Sequence, residues 1–230
     1  MDMDRTVRTF LLADVLELQP AGPESPVSFE GLGWIGGDYR RLFLRAQGDL
    51  PTAGGGGELQ ADVLFGRLLT PFWSAVAGAR LDTRAEGVHR VAGGAGAGAG
   101  GRATRGMLAL GFVGIAPFWF ELEPTLYVSQ DGDVSAEFET SFDLLLTQRL
   151  ILQPRLEMNA AVQKAPEFGV GSGINDVEVG ARVRYEIRRK FAPYVGVSWA
   201  RRTGGTAAMA RAAGEAVSDG VIVAGVRMWR

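Results

Sequence analysis

Residues 176–188 read DVEVGARVRYEIR, and this stretch decides the fold class because polar and apolar residues alternate along it. Apolar or aromatic residues occupy every odd position from Val177 to Ile187, while the even positions are charged except at Gly180. Successive side chains of a β-strand point to opposite faces. On a helix the two sets would mix around the axis and leave no apolar stripe. The alternation therefore predicts a long strand with one charged face and one apolar face.

The same alternation recurs in residues 119–129, 134–146 and 149–161, which are stretches of 11 to 13 residues. A strand of a soluble protein is usually ~5–6 residues long, whereas a tilted strand that crosses a membrane needs ~9–11 residues. Alternation alone would also fit a soluble β-sandwich or barrel, and that architecture stays the alternative. The length of the strands favours a membrane-spanning barrel.

The connections between the predicted strands alternate between short turns and longer Gly/Pro-rich segments. Short turns are predicted at residues 36–38, 70–71, 116–117, 147–148 and 189–193. Longer segments lie between them, apart from a tight turn at residues 130–133. Short periplasmic turns and longer outer loops are typical of an outer-membrane barrel. We therefore predict an all-β fold, an antiparallel up-and-down transmembrane β-barrel of about 12 strands, with 10 or 8 strands as alternatives. Ten strands would result if the first hairpin (residues 6–35) is weak.

We expect residues 1–230 to form a single outer-membrane β-barrel domain, in which the Gly/Ala-rich segment 85–103 is a flexible extracellular loop. Aromatic residues cluster near the short turns, as expected of a girdle at the membrane interface. They are Trp34, Tyr39, Phe72, Trp73, Phe118, Trp119, Phe120, Phe191, Tyr194 and Trp229.

Composition excludes several function classes. The chain has no Cys and one His, which excludes a Cys zinc site, an iron–sulfur cluster and a multi-His metal site. A net charge of −2 gives no reason to expect nucleic acid as a partner.

The segment Met1–Arg5 lacks the basic start and apolar run of a secretory signal, so an exported chain would be a mature or trimmed form. The pair Glu121 and Glu123 has a spacing seen in glycosidases, but a barrel creates such spacings by construction, and we expect no enzyme activity.

The charged face of the strands predicts an acidic lumen. The predicted inward residues are Asp62, Asp82, Glu121, Glu123, Glu137, Glu139, Asp143, Glu157, Asp176, Glu178 and Glu186, with Arg41, Arg45, Arg80, Arg155, Arg182 and Arg184. One interpretation is a mutually neutralising network that fills a narrow barrel. The other is a path for cations, because carboxylates lower the barrier for a positive ion in a confined space. The two interpretations are compatible.

Candidate metal ligands are few. Thioethers suit Cu(I), whereas carboxylates suit harder cations such as Cu(II). Met1 and Met3 lie beside two aspartates at the N-terminal end, and Met107 is predicted to point inward near the outer end of its strand. From the acidic lumen we add the carboxylates of Glu121, Glu123, Asp143 and Glu157 as metal ligands.

Most of the chain resembles the copper resistance protein B family of bacterial outer-membrane proteins. The resemblance is carried by GWIGGDYRRLFLRAQGD (33–49), LLTPFWSAVAGARLD (68–82), GIAPFWFELEPTLYVSQDG (114–132), LLLTQRLILQPRLEMN (144–159), GSGINDVEVGARVRYEIRRKFAPYVGVSW (171–199) and ARAAGEAVSDGVIVAGVRMW (210–229). It implies a β-barrel in the cell outer membrane that works in copper tolerance with periplasmic copper-handling proteins. Members typically carry a Met- and His-rich N-terminal extension, which we expect to be trimmed away or absent here, where only Met1 and Met3 remain.

The expected function is therefore an outer-membrane copper resistance protein that binds copper ions and exports or sequesters them from the periplasm. Copper of either oxidation state is the expected cargo, and outer-membrane lipid is the expected surrounding. We expect the lumen to open to the periplasm. The alternative from another class is a passive structural barrel, or a small-solute or cation pore, without specific copper chemistry. A soluble β-protein is the third hypothesis, and it predicts solubility without detergent.

Overall fold

The structure is a computed structural model, and it describes residues 6–18, 26–51, 56–85 and 102–230. Their backbone is almost entirely extended. Thirteen β-segments follow one another along the chain: β1 Arg8–Leu18, β2 Pro26–Gly36, β3 Arg40–Pro51, β4 Gly57–Thr70, β5 Trp73–Ala85, β6 Arg102–Ala116, β7 Phe120–Ser129, β8 Val134–Ser141, β9 Leu144–Leu145, β10 Leu150–Ala161, β11 Gly173–Tyr185, β12 Phe191–Arg202 and β13 Ser218–Trp229.

These segments form one closed sheet in which neighbouring strands are antiparallel. Each strand pairs with the next along the chain, and β1 pairs with β13, which closes the barrel. Segments β8 and β9 both pair with β10 and form one barrel strand, interrupted at Phe142 and Asp143. The interruption lies opposite Pro154 of β10, which has no N–H to donate to the ladder. The barrel therefore has twelve strands, as predicted, and the first hairpin is part of it because β1 also pairs with β2.

The two ends of the barrel differ. The short-turn end carries the turns near Gly37, Pro71, Phe118, Gln148 and Arg189, together with the first residue of β1 and the last residue of β13. The opposite end, which we call the long-loop end, carries the tight turn at residues 130–133 and the connections 162–172 and 203–217 among the described residues. Most of the predicted flexible loop, residues 86–101, lies outside the described residues.

One element at the long-loop end differs from the sequence prediction. Residues 203–216 belong to the longer segments that the sequence predicts between short turns, but they contain the helix α1, Gly204–Ala212. Five of its nine residues are Ala or Met, which favour the helical conformation. No helix in the described part of the chain is long and apolar enough to cross a membrane.

The outer face of the barrel is apolar. Large hydrophobic side chains at alternating positions are exposed to the surroundings, including Leu108, Leu110 and Phe112 of β6 and Leu126 and Val128 of β7. Phe120 and Val179, which the alternation predicts to point outward, are 41% and 47% exposed. Because such a surface is unfavourable in water, it requires a lipid environment.

Candidate functional site

The lumen is only partly charged. Inward side chains of β3–β7 form an apolar cluster of Phe43, Leu64, Val76, Met107, Ala109 and Tyr127, against which Leu32, Trp34 and Val113 pack. The acidic lumen that the sequence predicts is therefore interrupted by an apolar wall. Side chains fill the interior of a small barrel, and on this wall the filling is hydrophobic.

The rest of the lumen is a network of ion pairs. The N–O distances are 2.6 Å for Arg45–Glu123, Arg80–Glu137, Arg155–Glu30, Arg182–Glu17, Arg184–Asp143 and Arg227–Asp14, 2.7 Å for Arg80–Asp62 and 2.9 Å for Arg105–Asp82. Most of these side chains belong to the predicted inward set. Their pairing supports the interpretation of a mutually neutralising network.

Several of these ion pairs cross the lumen rather than joining neighbouring strands. Arg155 lies on β10 and its partner Glu30 on β2, with β11, β12, β13 and β1 between them around the barrel. Arg45 of β3 and Glu123 of β7 are separated by three intervening strands. Where such a pair meets, the lumen is no wider than two side chains placed end to end.

A cavity of about 1100 Å³ occupies the long-loop half of the lumen. Its wall includes loop residues such as Asp133, Phe168 and Glu215, but none of Phe43, Leu64, Val76 or the short-turn ion pair Arg227–Asp14. This cavity lies at the long-loop end, because the apolar cluster and the crossing ion pairs fill the other half of the lumen. That the lumen opens to the periplasm stays a prediction.

Carboxylates outnumber cations along this cavity. Twelve acidic residues line it, namely Glu17, Glu30, Asp49, Glu58, Asp82, Asp133, Glu137, Glu157, Asp176, Glu178, Glu215 and Asp219. Seven arginines line it, namely Arg80, Arg84, Arg105, Arg155, Arg182, Arg201 and Arg202. With 12 acidic against 7 basic residues, its described wall carries a formal charge of −5 when all are ionised, which attracts cations.

The negative charge is concentrated on one wall. Glu123, Glu139, Glu157 and Glu178 lie directly opposite one another on β7, β8, β10 and β11. Like charges in such direct cross-strand positions repel. Arg45 pairs with Glu123, and Arg155 lies close to both Glu139 and Glu157. Glu178, by contrast, accepts a hydrogen bond from the neutral Ser198 hydroxyl at 2.5 Å. The end of this row at β11 is therefore the least neutralised.

A connection at the long-loop end reaches across the mouth of the cavity. Arg84 of β5 donates a hydrogen bond to the carbonyl of Phe168 at 2.6 Å, and the Arg105 guanidinium lies 4.2 Å from the centroid of the Phe168 ring. Helix α1 is tied to the same connection, because the Gly171 N–H donates to the Thr206 hydroxyl at 2.9 Å. These contacts hold residues 166–171 over the opening.

The structure does not bring the predicted metal ligands together. Met107 is buried in the apolar cluster, Glu123 pairs with Arg45, Asp143 pairs with Arg184, and Glu121 accepts a hydrogen bond from Ser141. Glu157 lies 3.5 Å from Arg155 and also accepts a hydrogen bond from Asn159. Met1 and Met3 lie outside the described residues. In the part of the chain that is described, no group of three or more His, Cys, Asp or Glu side chains could hold a metal ion as they stand.

Sequence reasoning missed the lumenal residues of the first hairpin. Asp14, Glu17 and Glu30 each pair with a lumenal arginine. Asp14 and Glu17 are three residues apart, so strict alternation would place them on opposite faces. The register of β1 against β2 shifts between Ala13 and Val15, so Asp14 is the extra residue of a β-bulge. Beyond the bulge, the inward and outward positions of β1 exchange. A search for strict alternation in the sequence therefore does not find these lumenal residues.

A closed barrel of twelve long antiparallel strands, apolar outside and largely charged inside, defines the class of outer-membrane β-barrel proteins. A family model described as "Copper resistance protein B precursor (CopB)" matches residues 7–230. The chain therefore belongs to the copper resistance protein B family, which supports a role in copper resistance and a place in the outer membrane.

Two relatives give the same result. The chain is 38% identical over 226 residues to "Copper resistance protein B" of Escherichia coli, covering 98% of this chain and 71% of that protein. The identity and both coverages are the same for "Copper resistance protein B homolog" of Pseudomonas syringae pv. tomato. Among solved structures, OmpT, an outer membrane protein of Vibrio cholerae, matches with 10% identity and a TM-score of 0.39, covering 98% of this chain and 97% of that one. A score this low adds nothing to the fold, which the closed strand pairing defines.

Proposed function

We propose that this barrel binds copper ions inside its lumen and thereby exports or sequesters them from the periplasm. The observation that supports this proposal is the cavity at the long-loop end, whose wall has 12 carboxylates against 7 arginines. A confined site with excess negative charge raises the local concentration of cations. Membership in a copper resistance family makes copper the cation of interest.

The wall formed by β10 and β11 is the proposed place of binding. Asp176 and Glu178 line the cavity and take part in hydrogen bonds from Asn159 at 3.0 Å and Ser198 at 2.5 Å. Hydrogen bonds from neutral groups leave the negative charge available to a cation. Oxygen ligands hold Cu(II) better than Cu(I), so we propose Cu(II) as the bound form at this wall. Met107 and Met209 also line the cavity and would supply thioether ligands for Cu(I).

Calorimetry and electron paramagnetic resonance on the detergent-folded barrel test this proposal with Cu(II). We expect the double variant Asp176→Asn, Glu178→Gln to bind roughly ten-fold more weakly, which corresponds to about 1.4 kcal/mol. Asp133→Asn is the matched control, because this residue also lines the cavity but lies on the tight turn rather than on the β10–β11 wall. Equal binding by the double variant, the control and the unchanged barrel would contradict the proposed site.

Copper accumulation in cells that lack the gene tests the biological half of the proposal. Restoring the gene is expected to lower free periplasmic copper and to improve growth in copper. Export lowers total cell copper, whereas sequestration leaves the total unchanged or higher. No change in growth together with no change in free periplasmic copper would contradict both. Periplasmic copper-handling proteins are the partners that we propose for either route.

A second candidate is a passive barrel without copper chemistry. The observation that favours it is the ion pairing of the lumen, since Glu123, Asp143 and Glu157 each lie within an ion-pair distance of an arginine. The same calorimetric titration distinguishes the two functions. A purified barrel that binds no more copper than an unrelated outer-membrane barrel would support the passive one.

A further inference from the structure

Two cavities lie one beyond the other along the lumen, and a thin partition separates them. The large one is at the long-loop end, and the small one, of about 10 Å³, is lined by Asp14, Gln153 and Arg227 among others. Ten cubic ångströms is roughly the space that one water needs. Val15, Arg155 and Arg182 line both cavities. These three side chains therefore form the partition.

The partition is held by charged hydrogen bonds to carboxylates on other strands. Arg182 donates to Glu17 at 2.6 Å, from β11 to β1. The Nη1 of Arg155 donates to Glu30 of β2 at 2.6 Å, while its Nη2 lies 3.1 Å from Glu139 and 3.5 Å from Glu157. Three carboxylates from three strands thus surround one guanidinium group. The pair with Glu30 connects nearly opposite walls, so it determines how wide the lumen is at this height.

We propose that Arg155 closes the lumen at this partition and determines which ions cross it. Its guanidinium group fills the gap between β10 and β2, and its positive charge repels cations that reach the partition from the acid-lined cavity. The carboxylates of Glu30, Glu139 and Glu157 attract those cations as soon as the guanidinium group moves aside. Passage through the barrel therefore requires the bond between Arg155 and Glu30 to break.

This inference does not depend on copper, and it concerns the movement of any small ion. Two substitutions break the same bond and leave opposite charges behind. Arg155→Ala removes the guanidinium group and leaves three carboxylates without it, whereas Glu30→Ala leaves the guanidinium group without its partner on the opposite wall. We expect both substitutions to widen the partition. Arg155→Ala is expected to increase its attraction for cations, and Glu30→Ala is expected to decrease it.

Conductance of the purified barrel in planar lipid bilayers tests the proposal in KCl. We expect both variants to raise the single-channel conductance at least about two-fold over the unchanged barrel. In a KCl gradient, the preference for K⁺ over Cl⁻ is expected to rise in Arg155→Ala and to fall in Glu30→Ala. A purely structural role of the pair would not produce this opposite change in selectivity.

Arg105→Ala is the matched control. Arg105 is a lumenal arginine of similar burial, but its partner Asp82 lies on the adjacent strand β5, so their bond does not cross the lumen. Arg105 lines the wide cavity and not the small one beyond the partition. We expect its conductance to stay at the unchanged level. Heat-modifiable migration on gels establishes that each variant is folded. If Arg155→Ala fails to fold, Glu30→Ala alone decides. Unchanged conductance in folded Arg155→Ala and Glu30→Ala, an equal increase in Arg105→Ala, or selectivity that shifts in the same direction in the first two variants would overturn the proposal.

Discussion

Arg80 shows how a charge is accommodated in this lumen at the scale of a single residue. Its side chain is only 5% exposed, and it donates two hydrogen bonds to Asp62, at 2.7 and 2.9 Å, and one to Glu137 at 2.6 Å. Its guanidinium group also lies 3.9 Å from the centroid of the Tyr127 ring. A buried charge is tolerated only when it is paired and hydrogen-bonded in this way.

Arg80→Gln is predicted to lower the free energy of unfolding by about 3–5 kcal/mol, because it leaves two carboxylates without their cation inside the barrel. Urea unfolding of the barrel in lipid vesicles measures the loss. Arg202→Gln is the control, since Arg202 pairs with Glu215 at an exposed site, where such a pair contributes about 0–1 kcal/mol. Equal losses of unfolding free energy in the two variants would show that the buried ion pairs of Arg80 contribute no more to stability than the exposed pair of Arg202.

The pairing of β4 with β5 shows, at the scale of the element, where a strand requires glycine. A Cβ atom on Gly78 would lie 1.9 Å from the carbonyl oxygen of Val63 and 2.8 Å from the Cα of Leu64. The two backbones therefore approach so closely that no side chain fits between them. A Cβ atom on Gly180 of β11 would meet its nearest neighbour, the Val197 carbonyl oxygen, at 3.6 Å, which is ordinary van der Waals contact.

Gly78→Ala is accordingly predicted to destabilise the barrel by about 1–3 kcal/mol through forced separation of β4 and β5. Gly180→Ala, the same change on the opposite wall, is expected to alter stability by less than about 1 kcal/mol. The fraction of each variant that refolds into vesicles and migrates as the compact band on unheated gels checks the difference. Equal refolding of both variants would contradict the steric explanation.

Strand β1 marks the limit of prediction at this scale. The long strands β10 and β11 follow period two closely, and the sequence places their faces correctly. In β1, by contrast, Leu12, Val15 and Glu17 are buried together while Leu11 and Leu16 are exposed. The bulge at Asp14 causes this change of parity, and it arises from the pairing with β2 and β13 rather than from any residue in β1.

At the scale of the whole molecule, the barrel has an apolar outer surface that faces lipid and a lumen that is closed at one end. Outward leucines occur along the full height of the strands. Leu110 lies near the middle of β6, whereas Leu50 lies near the long-loop end of β3, and both are exposed. Their different heights allow the depth of the surrounding lipid to be measured.

Leu110→Arg is predicted to destabilise the folded barrel by about 2–4 kcal/mol, because a charge near the bilayer midplane loses its hydration. Leu50→Arg is expected to cost about 0–1 kcal/mol, since its position is close to the interface. Reversible unfolding in vesicles measures both values. A cost at Leu50 as large as that at Leu110 would show that the bilayer does not surround the barrel at the expected height.

The sequence by itself determined the strands, the twelve-stranded count, the difference between the two ends and, outside the first hairpin, the charged and apolar faces of the strands. These properties follow from side-chain period and turn composition, which are local. It also placed most of the arginines and carboxylates that pair inside. Which arginine meets which carboxylate was decided only by the closure of the sheet, because β10 faces β2, and β3 faces β7, only once β1 pairs with β13. The position of the cavity was also decided by closure of the sheet. The apolar cluster and the crossing ion pairs that fill the other half of the lumen come from strands far apart in the chain.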